Sequence, residues 1–126
     1  MSLVILCVDD NHAALTARRV LLSTAGYTVL GAPTGKAALK LFNCNHVDLV
    51  ITDHLLLDRT GVRLTSEMKR LKPEVPVVLL TAWTDLPPGY DQVDLLLQKC
   101  IAPQDFLTEI TRLLSTRHGE KTQQDV

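Results

Sequence analysis

Leu3-Val4-Ile5-Leu6-Cys7-Val8-Asp9-Asp10 opens the chain with six apolar residues in a row and then two acids. A strand with one wet face alternates apolar and polar residues, so an unbroken apolar run of this length reads as a strand covered on both sides. Four more segments of strand length follow: Tyr27 to Gly31, Val47 to Thr52, Val75 to Thr81 and Val93 to Gln98. Between them the apolar residues move to helical spacing. Ala14, Ala17 and Leu21 share a face ahead of Gly26, and Ala38, Leu41 and Phe42 follow Thr34 as an N-cap. Leu64, Met68 and Leu71 precede Lys72-Pro73, and Phe106, Ile110, Leu113 and Leu114 mark a last helix after Pro103. Regular alternation of strand and helix predicts an α/β fold, a doubly wound five-stranded parallel sheet.

The alternation occupies a chain of 126 residues, which at roughly 150 residues per domain is one domain. Residues 1–114 carry the pattern, and the polar stretch 115–126 reads as a frayed tail or the start of a linker. Hydrophobic residues at 46% and charged residues at 21% are ordinary for a chain that folds alone. A net charge of −1 with scattered basic residues gives no phosphate-backbone footprint, and the few dispersed aromatics give no stacking platform, so nucleic acid is not an expected partner. No run approaches the length that crosses a membrane, and no export signal is read at the start. Cys7, Cys44 and Cys100 share no Cys-x-x-Cys spacing and read as reduced thiols of a cytoplasmic protein.

Ligands of doubly wound sheets bind outside the carboxyl ends of the strands. Those ends carry Asp9 and Asp10, Asp53, Thr81 and Lys99. Taken singly, an aspartate or threonine after a strand is usually a turn former or a cap. Together, three carboxylates at one sheet edge repel, and the cluster calls for a compensating charge that a divalent cation supplies. Mg²⁺ suits one or two carboxylates, water and phosphate oxygens. Asp53 would then be a carboxylate nucleophile toward phosphorus, with the Lys99 ammonium and the Thr81 hydroxyl on the phosphoryl oxygens. The chemistry suggested is formation of a phosphoaspartate.

At these residues the sequence resembles the receiver domain of two-component response regulators, of the chemotaxis-regulator-like kind. The resemblance runs from about Leu3 to Leu114. It rests on Leu6-Cys7-Val8-Asp9-Asp10-Asn11, Gly26-Tyr27-Thr28-Val29, Asp48-Leu49-Val50-Ile51-Thr52-Asp53 with Gly61 beyond it, Pro76-Val77-Val78-Leu79-Leu80-Thr81-Ala82, and Lys99. It implies a flavodoxin-like strand order, 2-1-3-4-5. It also implies that Asp53 accepts a phosphoryl group from a histidine kinase or histidine phosphotransfer protein. Asp10, Asp53 and the backbone carbonyl of Leu55 would bind Mg²⁺, with Asp9 acting mainly through water. Thr81 and Lys99 would contact the phosphoryl group, and the output would be a population shift read by a downstream effector or a second copy of the chain.

Departures from the family pattern are local. Leu96 stands where an aromatic switch residue is common, Cys100 where proline usually follows the lysine, and Leu57 where proline is frequent. Only 18 positions separate Thr81 from Lys99, and Pro87-Pro88-Gly89 lie between them, so the fourth crossover helix is expected to be short, shifted or missing. Leu55 and Trp83 are apolar where the family tunes access of water, which predicts slow self-dephosphorylation; packing of Trp83 beneath the shortened loop is the alternative. The four histidines make no metal set and are expected to be solvated or locally bonded. No hydrolase triad or Gly-x-x-x-x-Gly-Lys loop is present, and Asp53-His54-Leu55 fails the Asp-x-Asp pattern of an aspartyl-phosphate phosphatase. The competing reading is a degenerate receiver that keeps the acidic pocket but serves as a phosphorylation-independent interaction module.

Overall fold

The computed structural model describes residues 2–82 and 88–124. Its elements run β1 (Val4–Val8), α1 (His12–Thr24), β2 (Thr28–Ala32), α2 (Gly35–Cys44), β3 (Leu49–Asp53), α3 (Gly61–Leu71), β4 (Val77–Thr81), a 3₁₀ turn (Tyr90–Gln92), β5 (Leu95–Gln98) and α4 (Pro103–Gln124). The five strands form one parallel sheet in the order β2-β1-β3-β4-β5. This is the predicted α/β architecture and strand order.

The unbroken apolar runs are explained by a core on each face. Ile5, Cys7, Leu49, Ile51, Val78 and Leu80 pack with Leu15 and Leu22 of α1 and Phe106, Ile110 and Leu114 of α4. Their neighbours Leu6, Val8, Val50 and Val77 pack on the other face with Ala38 and Phe42 of α2 and Leu64 and Met68 of α3. Successive strand residues point to opposite faces, so both parities must be apolar here. Burial on the first face pushes the Cys7 thiol up to about 12, desolvation being the main cause, which leaves it a small apolar filler.

Local chemistry sets the helix ends. Asn11, Thr34 and Thr60 cap α1, α2 and α3, their side chains accepting from the backbone N–H of Ala14, Ala37 and Arg63. At the far end of α1, Gly26 takes φ 101°, and the N–H groups of Gly26 and Tyr27 bond back to Ser23 and Leu22 in a Schellman closure.

Strands β3, β4 and β5 each begin two residues later than their apolar runs suggest, because Val47 and Val75 are buried before pairing starts and Asp48 and Asp94 occupy the entries. In the β4–β5 crossover, the described residues hold a 3₁₀ turn, in line with the expectation of a short, shifted or missing helix there. The last helix corrects the reading of the tail: α4 continues to Gln124, through residues expected to fray. Arg, Glu, Lys and Gln favour helix there, and no proline interrupts. Among the described residues no helix is long and apolar enough to cross a membrane.

Candidate functional site

The strand order reverses between β1 and β3, so their carboxyl ends lie side by side. Val8 is paired with Thr52, which sets Asp9 and Asp53 one step beyond that pair on adjacent strands. Asp53 is paired in turn with Leu80, which puts Thr81 one step further on β4. Thr81 pairs with Gln98, and its carbonyl accepts the backbone N–H of Lys99 at 2.9 Å. Sheet register alone therefore gathers the four strand ends into one place.

One carboxylate oxygen from each of Asp9, Asp10 and Asp53 lies within 4.8 Å of the other two. Asp9 and Asp53 are buried, at 0% and 4% exposure, and Asp10 is half-buried. Asp53 Oδ1 accepts the His54 N–H at 2.9 Å and Oδ2 accepts Lys99 Nζ at 2.8 Å. Thr81, 2% exposed, ends the adjacent strand β4. The three carboxylates and the Lys99 ammonium predicted from the strand ends are thus brought together, and sheet register sets Thr81 at the neighbouring strand end. Hard oxygen donors at this spacing are the donor set that Mg²⁺ takes.

Asp9 is held by partners that the sequence did not reveal. Its Oδ1 accepts the Asn11 N–H at 2.9 Å, and its Oδ2 accepts Arg18 Nη1 at 3.1 Å. The compensating charge expected from a cation alone is therefore supplied in part by the chain. Arg18 lies on the sheet-facing stripe of α1 between Leu15 and Leu22, and an arginine on an otherwise apolar face is the signal that would have found it.

Leu55, two residues beyond Asp53, has an exposed side chain and pairs with Thr60 across a short antiparallel bridge. Flanking bonds run from the Gly61 N–H to the His54 carbonyl and from the Leu56 N–H to the Arg59 carbonyl, so the peptides after Asp53 are pinned. A Cβ on Gly61 would lie 2.5 Å from both the Asp53 carbonyl oxygen and Leu79 Cδ1, and only glycine allows this approach.

The loop is fastened at its outer side as well. Asp58 accepts the N–H groups of Gly35 and Lys36 at 2.9 Å each, while Arg59 Nη1 donates to both oxygens of Glu67 at 2.7 and 2.8 Å. Desolvation pushes the Asp58 carboxyl up, but the two backbone donors and the Arg59 guanidinium outweigh it and hold the group below its ordinary 3.8. The hydrogen bonds and charge of Glu67 raise the Arg59 pKa against desolvation.

His12 opens α1 exposed to solvent, and His46 Nε2 bonds Asp48 Oδ1 at 2.9 Å, as expected of local histidines. His54 differs, since its Nδ1 is buried without a hydrogen-bond partner among the described residues. Trp83, the second residue of the proposed water shield, and the His118 side chain lie outside the described residues.

A family profile described as response regulator receiver domain matches residues 5–111. Among curated proteins, the chain is 35% identical over 83 residues to the transcriptional regulatory protein GlrR of Escherichia coli K12, covering 66% of this chain and 19% of the relative. It is 32% identical over 103 residues to ZraR of the same strain, covering 81% and 23%. The chain thus spans about a fifth of the length of these relatives. Among solved structures, it is similar to a CheY-like receiver domain protein of Methanospirillum hungatei JF-1, with TM-score 0.89, 26% identity, and 95% and 99% of the two chains covered. It is also similar to the response regulator TrrA of Thermotoga maritima in complex with Mg²⁺ and BeF, with TM-score 0.82, 28% identity, and 90% and 99% covered.

Proposed function

Since the chain belongs to the response regulator receiver domain family, we propose that it is the phosphoacceptor switch of a two-component phosphorelay, with Asp53 as the group that takes the phosphoryl. The observation that carries this reading is the convergence of three carboxylate oxygens within 4.8 Å, with Lys99 Nζ 2.8 Å from the central one. The donor is a histidine kinase or histidine phosphotransfer protein, and a downstream effector reads the result.

Asp53 is buried, fixed through one oxygen by the His54 N–H and through the other by Lys99, so its orientation is set before a donor arrives. In the transfer step a carboxylate oxygen of Asp53 forms a bond to phosphorus. The phosphorus–nitrogen bond of the donor phosphohistidine breaks, and its electron pair returns to the imidazole. Lys99 is about a third exposed on its side chain and passes from the carboxylate to a phosphoryl oxygen without leaving the pocket. The Thr81 hydroxyl gives the phosphoryl group a second contact, present only when the site is charged. That difference in contacts is what biases the population between two packings of the β4–β5 side.

Asp10, Asp53 and the Leu55 carbonyl are the groups that would hold Mg²⁺, with Asp9 acting through water. When bound, the ion neutralises oxygen charge that develops in phosphoryl transfer. The only catalysis assigned to the chain is of its own phosphorylation and dephosphorylation.

The test is incubation with a small acyl phosphate donor and Mg²⁺, read by intact mass. A gain of one phosphoryl that disappears in Asp53→Asn and with chelator is the expected result. The short stretch of sequence from Thr81 to Lys99, with Pro87-Pro88-Gly89 inside it, is the observation that favours the second reading, a phosphorylation-independent interaction module. Absence of any mass gain in the folded wild type would select it.

A further inference from the structure

We propose that Arg18 is a built-in counter-cation of the acidic pocket, which weakens its hold on Mg²⁺ and strengthens its hold on the phosphoryl group. The inference rests on the metal-binding reading given above. Asp9 is fully buried, and each of its oxygens already accepts a bond, one from the Asn11 N–H and one from the Arg18 guanidinium. Arg18 is itself largely buried, its side chain 15% exposed, so solvent screens this pair far less than a surface ion pair. Two cations, Arg18 and Lys99, thus face three carboxylates, leaving one net negative charge in the pocket.

That count distinguishes the ligands by sign. A divalent cation entering this pocket meets one negative charge rather than the two it would meet without Arg18. An acyl phosphate on Asp53 carries up to about two negative charges in place of one, and with the ion bound, Arg18 brings the pocket close to neutrality. A guanidinium beside a carboxylate typically shifts its proton equilibrium by about one to three powers of ten, which sets the scale for a cation competing for the same group. Arg18 also has room to adjust: together with Ala14, Ala17, Leu21, Lys99 and Phe106 it lines a groove of about 700 Å³ between α1 and α4. Its aliphatic stem can stay packed there while the charged head gives way.

The experiment is calorimetric titration of wild type, Arg18→Leu and Arg18→Lys, first with Mg²⁺ alone and then with beryllofluoride at saturating Mg²⁺. Arg18→Leu is expected to bind Mg²⁺ about tenfold more tightly and beryllofluoride several-fold more weakly. Arg18→Lys should restore both values toward wild type. Shifts of opposite sign separate an electrostatic role from a merely structural one, since a distorted pocket loses both ligands. If Arg18→Leu fails to melt cooperatively, Arg18→Gln, which keeps a neutral donor to Asp9, replaces it with the same expectation. Mg²⁺ binding by the variant equal to or weaker than that of wild type overturns the inference and leaves the metal site standing. No Mg²⁺ uptake by any of the proteins, wild type included, overturns both.

Discussion

The two ends of the sheet both carry aspartates at strand boundaries, yet they behave differently. At the amino end, Asp48 and Asp94 precede β3 and β5, and each closes a strand entry. Asp48 Oδ2 accepts the Val4 N–H at 2.8 Å and Asp94 Oδ2 accepts the Val77 N–H at 2.7 Å. Each also has a basic partner, His46 for Asp48 and Lys69 for Asp94, at 2.9 and 2.6 Å. These acids serve separate strands and finish the backbone accounting of an otherwise unpaired edge. At the carboxyl end, Asp9, Asp10 and Asp53 turn toward one another. An aspartate at a strand end is thus not in itself a functional signal. Convergence is, and convergence follows from the reversal of strand order between β1 and β3.

Substitutions at the two ends sharpen that contrast. Asp53→Asn is expected to abolish phosphoryl incorporation from a small donor, whereas Asp94→Asn should leave incorporation intact, both read by mass spectrometry. Equal losses at the two ends would dissolve the distinction. Next in size is Gly61→Ala, which forces a methyl against the Asp53 carbonyl and Leu79. Its expected cost is about 3 kcal/mol by denaturant unfolding, the upper range for overpacking. Asp94→Ala, which strands the Val77 N–H and leaves Lys69 without its carboxylate, should cost about 2 kcal/mol in the same assay.

The smallest effect is that of Asp58→Ala, which removes an acceptor from the start of α2 and costs about 1 kcal/mol at neutral pH. Its pH dependence has a definite sign. The folded pKa of Asp58 lies below the ordinary 3.8, so its contribution is complete above 3.8 and is lost as pH falls through the lower folded value. The stability gap between wild type and Asp58→Ala should therefore close on the acid side only. A gap that closed between neutral pH and 3.8 would contradict the assignment.

How much of this was legible in the sequence depends on the range of the interaction concerned. Unbroken apolar runs such as Leu3 to Val8 and the 3.6-residue spacing of Leu64 and Met68 are local, and they made the fold class and the four strand ends of the site legible. Strand starts were read early because Val47 and Val75 look like strand residues but are buried before the ladder begins. The counter-ion Arg18 was invisible for a different reason. Its bond to Asp9 depends on the rotation of α1 over β1, and an arginine is assigned to solvent unless its apolar neighbours Leu15 and Leu22 are read as a stripe that includes it. The β4–β5 crossover was legible in outline: Pro87-Pro88-Gly89 predicted a short, shifted or missing helix, and among the described residues the crossover holds a 3₁₀ turn, Tyr90–Gln92. The helical course of residues after Leu114 was missed because polar composition was read as fraying, although most of those residues favour helix.

The central claim is that the geometry at the carboxyl end makes Asp53, and no other carboxylate, the phosphoryl acceptor. Borohydride reduction of the protein after incubation with donor and Mg²⁺ converts an acyl phosphate to homoserine and marks its position. Peptide mapping should find homoserine at residue 53 and at none of the other acidic positions. Label at Asp9, Asp10 or an amino-end aspartate, with residue 53 unmodified, would contradict the account.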